Sequence, residues 1–168
     1  MNKDLVIRNA VLGDAEPLAA IYNYYVENTH ITFDLDAVSI EDRREWLIQY
    51  NQNLPHRLLV AEENGNVIGY ASSSRFRPKP AYHRSVETTI YLDPGHQGKG
   101  YGRMLYDHLL NELAKTNVNR CYGIIALPND ASVVLHRHLG FTEVGHLTEV
   151  GFKFEKYWDT LWMEKVMP

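Results

Sequence analysis

Gln97-Gly98-Lys99-Gly100-Tyr101-Gly102 joins a β-type run, Val86 to Leu92, to a helix-type run that starts near Tyr101 and carries Met104, Leu105, His108, Leu109 and Leu113. Three glycines at alternate positions let the backbone turn tightly and approach a ligand with no Cβ in the way. The following helix adds free N–H groups and the positive end of its dipole, so the turn suits a pyrophosphate. Two better-known phosphate loops do not fit. The dinucleotide fingerprint G-x-G-x-x-G follows an early strand, whereas these glycines run G-x-G-x-G at mid-chain. Gly95 and Gly100 have the spacing of a nucleoside-triphosphate loop, but Tyr101 and Gly102 stand where it needs lysine and a hydroxyl residue. Taken alone, the six residues also fit a glycine-rich turn with no ligand.

Upstream of the loop, Leu5 to Arg8 reads as a strand, and Asp14 as the N-cap of a helix carrying Leu18, Ile21, Tyr22 and Tyr25. Thr29 to Val38 has no period and reads as a loop. Ser39 and Asp42 form a weak capping box before a helix with Trp46, Leu47 and Tyr50. Leu58 to Glu62 and Val67 to Ser72 flank Asn64-Gly65, a strong hairpin signal. A basic, proline-containing loop from Arg75 to Arg84 then leads into Val86 to Leu92. Downstream, Arg120 to Leu127 reads as a strand buried on both faces, and Asp130 to Leu139 as a short helix ending at Gly140. Phe141 to Val144 and Tyr157 to Val166 read as closing strands. The order predicts an α/β (α+β) fold: a mixed sheet with a parallel strand-helix-strand unit at its centre.

The 168 residues fit one domain, 1–168, and 45 % hydrophobic with 23 % charged residues is an ordinary globular composition. No apolar run reaches the length of a membrane span, and Met1 to Asp4 leads into the first strand without a signal-peptide core, so a cytoplasmic location is expected. The single cysteine, Cys121, sits in an apolar run and reads as a buried small hydrophobe. A net charge of −4 argues against nucleic-acid binding, which needs a basic face. The eight histidines show no metal-ligand spacing, so no metal is expected.

Several signals follow one another in order: Gln97-x-x-Gly100-x-Gly102, then Asn129-Asp130-Ala131-Ser132, then His136-x-x-x-Gly140-Phe141. Together they resemble the GNAT superfamily of acetyl-CoA-dependent N-acetyltransferases. Val86 to Leu92, His96-Gln97, Leu127 to Ser132 and the tail Gly151-Phe152-Lys153 with Trp158-Asp159 resemble more narrowly its phosphinothricin and methionine sulfoximine acetyltransferase branch. His136 stands where most of the superfamily has a tyrosine, as is characteristic of that branch. The likeness covers nearly the whole chain and implies a mostly antiparallel GNAT-like sheet with helices on both faces, acetyl-CoA as cosubstrate, no metal, and a homodimer.

An amine attacks a thioester only when neutral, and an α-amino group is mostly protonated at pH 7, so a base or relay is required. Strand alternation sets Glu87, Thr89 and Tyr91 on one face, opposite Val86, Thr88, Ile90 and Leu92. Glu87 reads as that base, acting directly or through water, or as a carboxylate paired with a loop arginine. The resemblance implies that the strands ending near Leu92 and Leu127 splay apart, with the pantetheine arm between them against Ile90, Tyr91 and Leu92. It also implies that Gln97, Gly98, Lys99, Gly100, Tyr101, Gly102 and Arg103 hold the pyrophosphate, with Asn129 and Ser132 across the arm. Asn129 is equally a helix-cap residue. His136 reads as a proton donor to the leaving thiolate, an organiser of the cofactor, or a space-filler. Arg77, Tyr82 and Arg84, with Phe33 by resemblance, are the expected acceptor-binding residues, although a charged loop is also commonly just solvated. The expected reaction is direct transfer in a ternary complex to the α-amino group of a phosphinothricin-, methionine sulfoximine- or methionine sulfone-like acceptor. The rivals are another amine (a protein N-terminus, a polyamine or an aminoglycoside) and a non-catalytic acyl-CoA sensor.

Overall fold

A computed structural model describes residues 5–50 and 56–168; the leader reading of Met1 to Asp4 lies outside them. Seven strands form one sheet: β1 (Leu5–Asn9), β2 (Arg57–Glu63), β3 (Asn66–Arg75), β4 (Ser85–Leu92), β5 (Arg120–Ala126), β6 (Thr142–Lys153) and β7 (Lys156–Val166). Their spatial order is β1-β2-β3-β4-β5-β7-β6, and the β4–β5 pair is parallel while the rest are antiparallel. Asn64 and Gly65 close the β2–β3 hairpin with φ of 51° and 81°, the paired positive angles that match a two-residue turn to strand twist.

Helices cover both faces, as expected. β2 shows why the sheet is two-sided. Leu58 and Val60 pack with α1 (Ala15–Asn28) and α2 (Ile40–Ile48), through Leu18, Ile21 and Leu47, while Leu59 and Ala61 pack on α3 (Tyr101–Leu113). Buried residues recur along α3 at Tyr101, Leu105, Leu109 and Leu113, the i, i+4 spacing of one helical face. Met104 and His108 fall off that stripe and are exposed, and Tyr106 is buried in their place. The last helix, α4 (Asp130–His138), lies against β5.

Local chemistry explains the helix starts. Ser39 accepts from the Asp42 N–H and Asp42 Oδ2 accepts from the Ser39 N–H, completing the capping box on α2. Asp14 precedes α1 but does not cap it. Its carboxylate accepts from the Val11 N–H and from Arg8, at 2.8 Å each, which ties the end of β1 to the turn before the helix. β5 also departs from its reading. Its burial alternates instead of covering both faces, because Tyr122 and Ile124 are only half-buried. β6 runs far beyond Val144, as an edge strand whose register shifts twice.

Candidate active site

β4 and β5 pair only at Ser85, Val86 and Glu87 with Arg120, Cys121 and Tyr122. Beyond that point β4 continues to Leu92 beside β3, and β5 continues to Ala126 beside β7, so a gap opens between them. Asp93 donates its N–H to Ile68 O at 2.8 Å on the β3 side. By alternation, the N–H groups of Ile90 and Leu92 face the gap, and the backbone of Tyr91 faces β3. A strand edge of this kind accepts an extended amide-bearing chain.

The gap widens into a cleft of about 580 Å³, lined by Ile90 and Leu92, by Gln97, Gly98, Gly100, Gly102 and Arg103, and by Asn129, Ser132 and His136. Gly98 and Gly100 have φ of 73° and 83°, and a Cβ on either would meet no neighbour within 4 Å. Both therefore turn a bare backbone to open space at the start of α3, as a pyrophosphate cradle requires. Gln97 donates to Tyr25 Oη at 2.8 Å, and Tyr25 donates to Leu92 O at 2.5 Å, which fixes the loop to α1 and the end of β4. Tyr101 turns inward, its hydroxyl on Glu63, and Lys99 does not line the cleft.

Across the gap, Asn129 Oδ1 accepts from the Ser132 N–H at 3.2 Å, so the carboxamide caps α4 while lining the cleft. His136 is 3 % exposed. Burial lowers its pKa below 6.5, with its hydrogen bond to Ser132 O opposing in part, so the ring is neutral at pH 7. Nδ1–H donates to Ser132 O at 2.8 Å, which leaves Nε2 as the acceptor facing Tyr106 Oη at 3.1 Å. Tyr106 also meets Thr88 Oγ1 at 2.6 Å, linking β4, α3 and α4 behind the cleft. Tyr106 escaped the sequence reading because one polar atom on an apolar stripe looks like any buried tyrosine. A Cβ on Gly123 would lie 2.4 Å from His136 Nε2, so the imidazole rests directly on the β5 backbone.

A second cavity of about 360 Å³ lies on the α1–α2 side of the sheet and shares Ile31, Thr89, Tyr91, Ile124 and Ala126 with the cleft. Glu87 lines it, with Phe33 and Arg43. Burial raises the Glu87 carboxyl above its ordinary 4.5, and the charge of Arg77 opposes this in part. No hydrogen bond to Glu87 is formed by any described side chain, so its oxygens are open to a ligand or water. A carboxylate held above its usual range is a better base near neutral pH. Cys121, by contrast, is fully buried and its thiol is pushed up to about 12, so it is no nucleophile.

The chain matches the acetyltransferase (GNAT) domain family over residues 7–162. It belongs to that family. This acetyltransferase is 46 % identical over 164 residues to a phosphinothricin N-acetyltransferase of Streptomyces coelicolor, covering 96 % of each chain. It is 35 % identical over 160 residues to an L-methionine sulfoximine/L-methionine sulfone acetyltransferase of Salmonella typhimurium, covering 95 % of this chain and 93 % of the other. Its fold superposes with a TM-score of 0.93 on the crystal structure of a phosphinothricin acetyltransferase from Sinorhizobium meliloti in complex with acetyl-CoA. That pair is 32 % identical over 98 % of this acetyltransferase and 89 % of its neighbour.

The expected acceptor residues divide. Phe33 lines the second cavity, its ring pressed on Gly151, where a Cβ would come within 2.2 Å. Arg77 stacks 4.5 Å from the Phe76 ring centroid, and its charge reaches Glu87. Tyr82 packs edge-on to Phe76 at 5.9 Å and lines neither cavity. Arg84 points away, donating from Nε to Asn117 O at 2.8 Å beyond α3. A basic loop shows its charge in sequence, but its side-chain directions depend on where β4 begins.

Proposed function

We propose that the 168 residues act as a single domain that transfers the acetyl group of acetyl-CoA directly to the α-amino group of a small amino-acid-like acceptor, of the phosphinothricin, methionine sulfoximine or methionine sulfone type. One observation carries the reading: the cleft between β4 and β5 meets the cavity that holds Glu87 at Thr89 and Tyr91. The glycine loop, with Gly98, Gly100 and Arg103, and the free edge of β4 fit the pyrophosphate and the pantetheine amides. Asn129 and Ser132 would flank the arm from α4. The cosubstrate supplies the thioester. Glu87 takes a proton from the acceptor ammonium, directly or through water, while Phe33 borders the bound acceptor and the charge of Arg77 favours the ionised form of Glu87. The Leu92 N–H donates toward charge developing on the acyl oxygen. His136 is neutral with its N–H on Ser132 O, so its part is to hold the cleft wall through Tyr106 and Thr88. The leaving thiolate, whose conjugate acid has a pKa of about 8.5, needs little proton donation.

CoA-thiol release with phosphinothricin, methionine sulfoximine and methionine sulfone tests the acceptor class. Turnover of these above spermidine, an aminoglycoside and an Ala-terminated peptide is the expected result. Turnover of only the latter group removes the assignment, and acetyl-CoA binding without turnover of any amine makes the protein a sensor.

The same proposal places the protein in the cytoplasm as a homodimer. Edge strand β6 supports the dimer, since Val144, Leu147, Val150 and Phe152 are 43–55 % exposed along it. Light scattering should give twice the 19.4 kDa chain mass, and Val150→Asp with Phe152→Asp should return it to the monomer value. A wild-type monomer at assay concentration would remove this part of the reading.

A further inference from the structure

Arg43 sits in α2 within a polar run, Glu41-Asp42-Arg43-Arg44-Glu45, yet it is only 6 % exposed. Its guanidinium lies between two aromatic faces, 4.6 Å from the ring centroids of both Tyr22 and Trp46. Stacking satisfies the faces of a guanidinium but not its in-plane N–H donors. Nε is buried with no acceptor, and among the described residues no carboxylate or carbonyl accepts from Arg43 at all. The carboxylate of Asp34 accepts from the Tyr22 hydroxyl at 2.7 Å, and among the described residues no carboxylate forms an ion pair with Arg43. A buried cation without a counter-charge or full set of hydrogen bonds is costly, and such a group persists where a ligand completes it. Arg43 lines the cavity that also holds Glu87; burial raises the pKa of the phenols of Tyr22, Tyr50 and Tyr70 around that cavity, and the charge of Arg43 opposes this in part.

We infer that Arg43 is the anion receptor of the acceptor pocket, binding an oxyanion of the substrate whose amine is presented to Glu87. The inference rests on the acetyl-transfer reading above and extends it: the acceptor is recognised as a zwitterion, with cation and anion met by opposite charges on β4 and α2. A polyamine or aminoglycoside offers no such oxyanion. Two groups have the required chemistry, the α-carboxylate shared by every amino acid and the phosphinate of a phosphinothricin-type side chain.

Kinetics and calorimetry of Arg43→Gln and Arg43→Lys test the assignment, using phosphinothricin, methionine sulfone and methionine sulfone carboxamide. Hydrogen bonds to charged groups predict a rise of about 10- to 100-fold in KM and Kd for oxyanion-bearing acceptors in Arg43→Gln. Acetyl-CoA affinity should stay within about twofold, the scale of a site left untouched. A penalty common to phosphinothricin and methionine sulfone, and absent with the carboxamide, identifies the carboxylate. A penalty confined to phosphinothricin identifies the phosphinate. Wild-type affinity for all three acceptors in the variant, or an equal loss with the carboxamide, overturns the inference and leaves Arg43 a packing residue. Arg43→Lys keeps the cation and provides the same comparison if the glutamine variant does not fold. Calorimetry needs no turnover, so a wild-type protein that binds these acceptors without acetylating them would refute the reaction while still testing the receptor. Wild-type protein that binds none of them refutes both.

Discussion

Glu87→Gln should lower kcat by about 10²- to 10⁴-fold, the usual contribution of a positioned base, while acetyl-CoA affinity measured by calorimetry stays at the wild-type level. Glutamine has nearly the shape of glutamate, and no described side chain hydrogen-bonds to Glu87, so the substitution leaves no buried partner unsatisfied. The pH profile separates a base from a structural carboxylate. Burial raises the pKa of Glu87 above 4.5, so its protonated form persists to higher pH than that of an ordinary carboxylate. A base must be ionised, so kcat/KM should fall as pH drops through that raised value, and this limb should be missing from the residual activity of Glu87→Gln. Arg77 favours the ionised form, so Arg77→Gln should move the limb upward. Wild-type kcat in Glu87→Gln would mean that the carboxylate only supports the sheet.

Gly100→Val should weaken acetyl-CoA binding by about 100-fold, from two sources. At φ of 83° a β-branched residue is strained by about 1–3 kcal/mol, which distorts the first turn of α3. Its methyls would also project where a Cβ meets no protein atom, the space read here as the pyrophosphate cradle. Gly100→Ala should fall between the two. Gly13→Ala, which also meets no neighbour but lies far along the chain before α1, should leave affinity within about twofold, as distant sites do. Calorimetric titration with acetyl-CoA decides it, and unchanged affinity in Gly100→Val would place the pyrophosphate elsewhere.

Much of this site is legible in sequence because its signals are local. The glycine loop, the Asn64-Gly65 hairpin, the alternation that separates Glu87 from Val86, and the Ser39 capping box each depend on neighbours a few residues apart. The parts that sequence hides depend on tertiary direction. Arg84 and Arg77 are equivalent as charges, yet one donates to Asn117 O while the charge of the other favours the ionised form of Glu87. Arg43 is hidden more deeply, since its run reads as a solvated helix face. Only its i, i+3 relation to Trp46 hints at stacking, and Tyr22 joins it solely because α1 packs on α2. The full length of β6 is hidden in sequence because an edge strand with exposed apolar residues and broken register has no clean alternation to detect. The half-exposed face of β5 is hidden likewise, because an apolar strand that lines a cavity has the same composition as one that lines a core.

Direct transfer requires two ligands held at once, one in the cleft and one beside Glu87. With Cys121 sealed in the core, the described site offers no thiol to carry the acetyl group between them. Initial rates of CoA release, measured while acetyl-CoA and methionine sulfone are varied against each other, test this most directly. Direct transfer gives intersecting double-reciprocal lines and no acetylated protein by mass spectrometry; parallel lines with an acetyl group retained on the chain would mean a covalent intermediate instead.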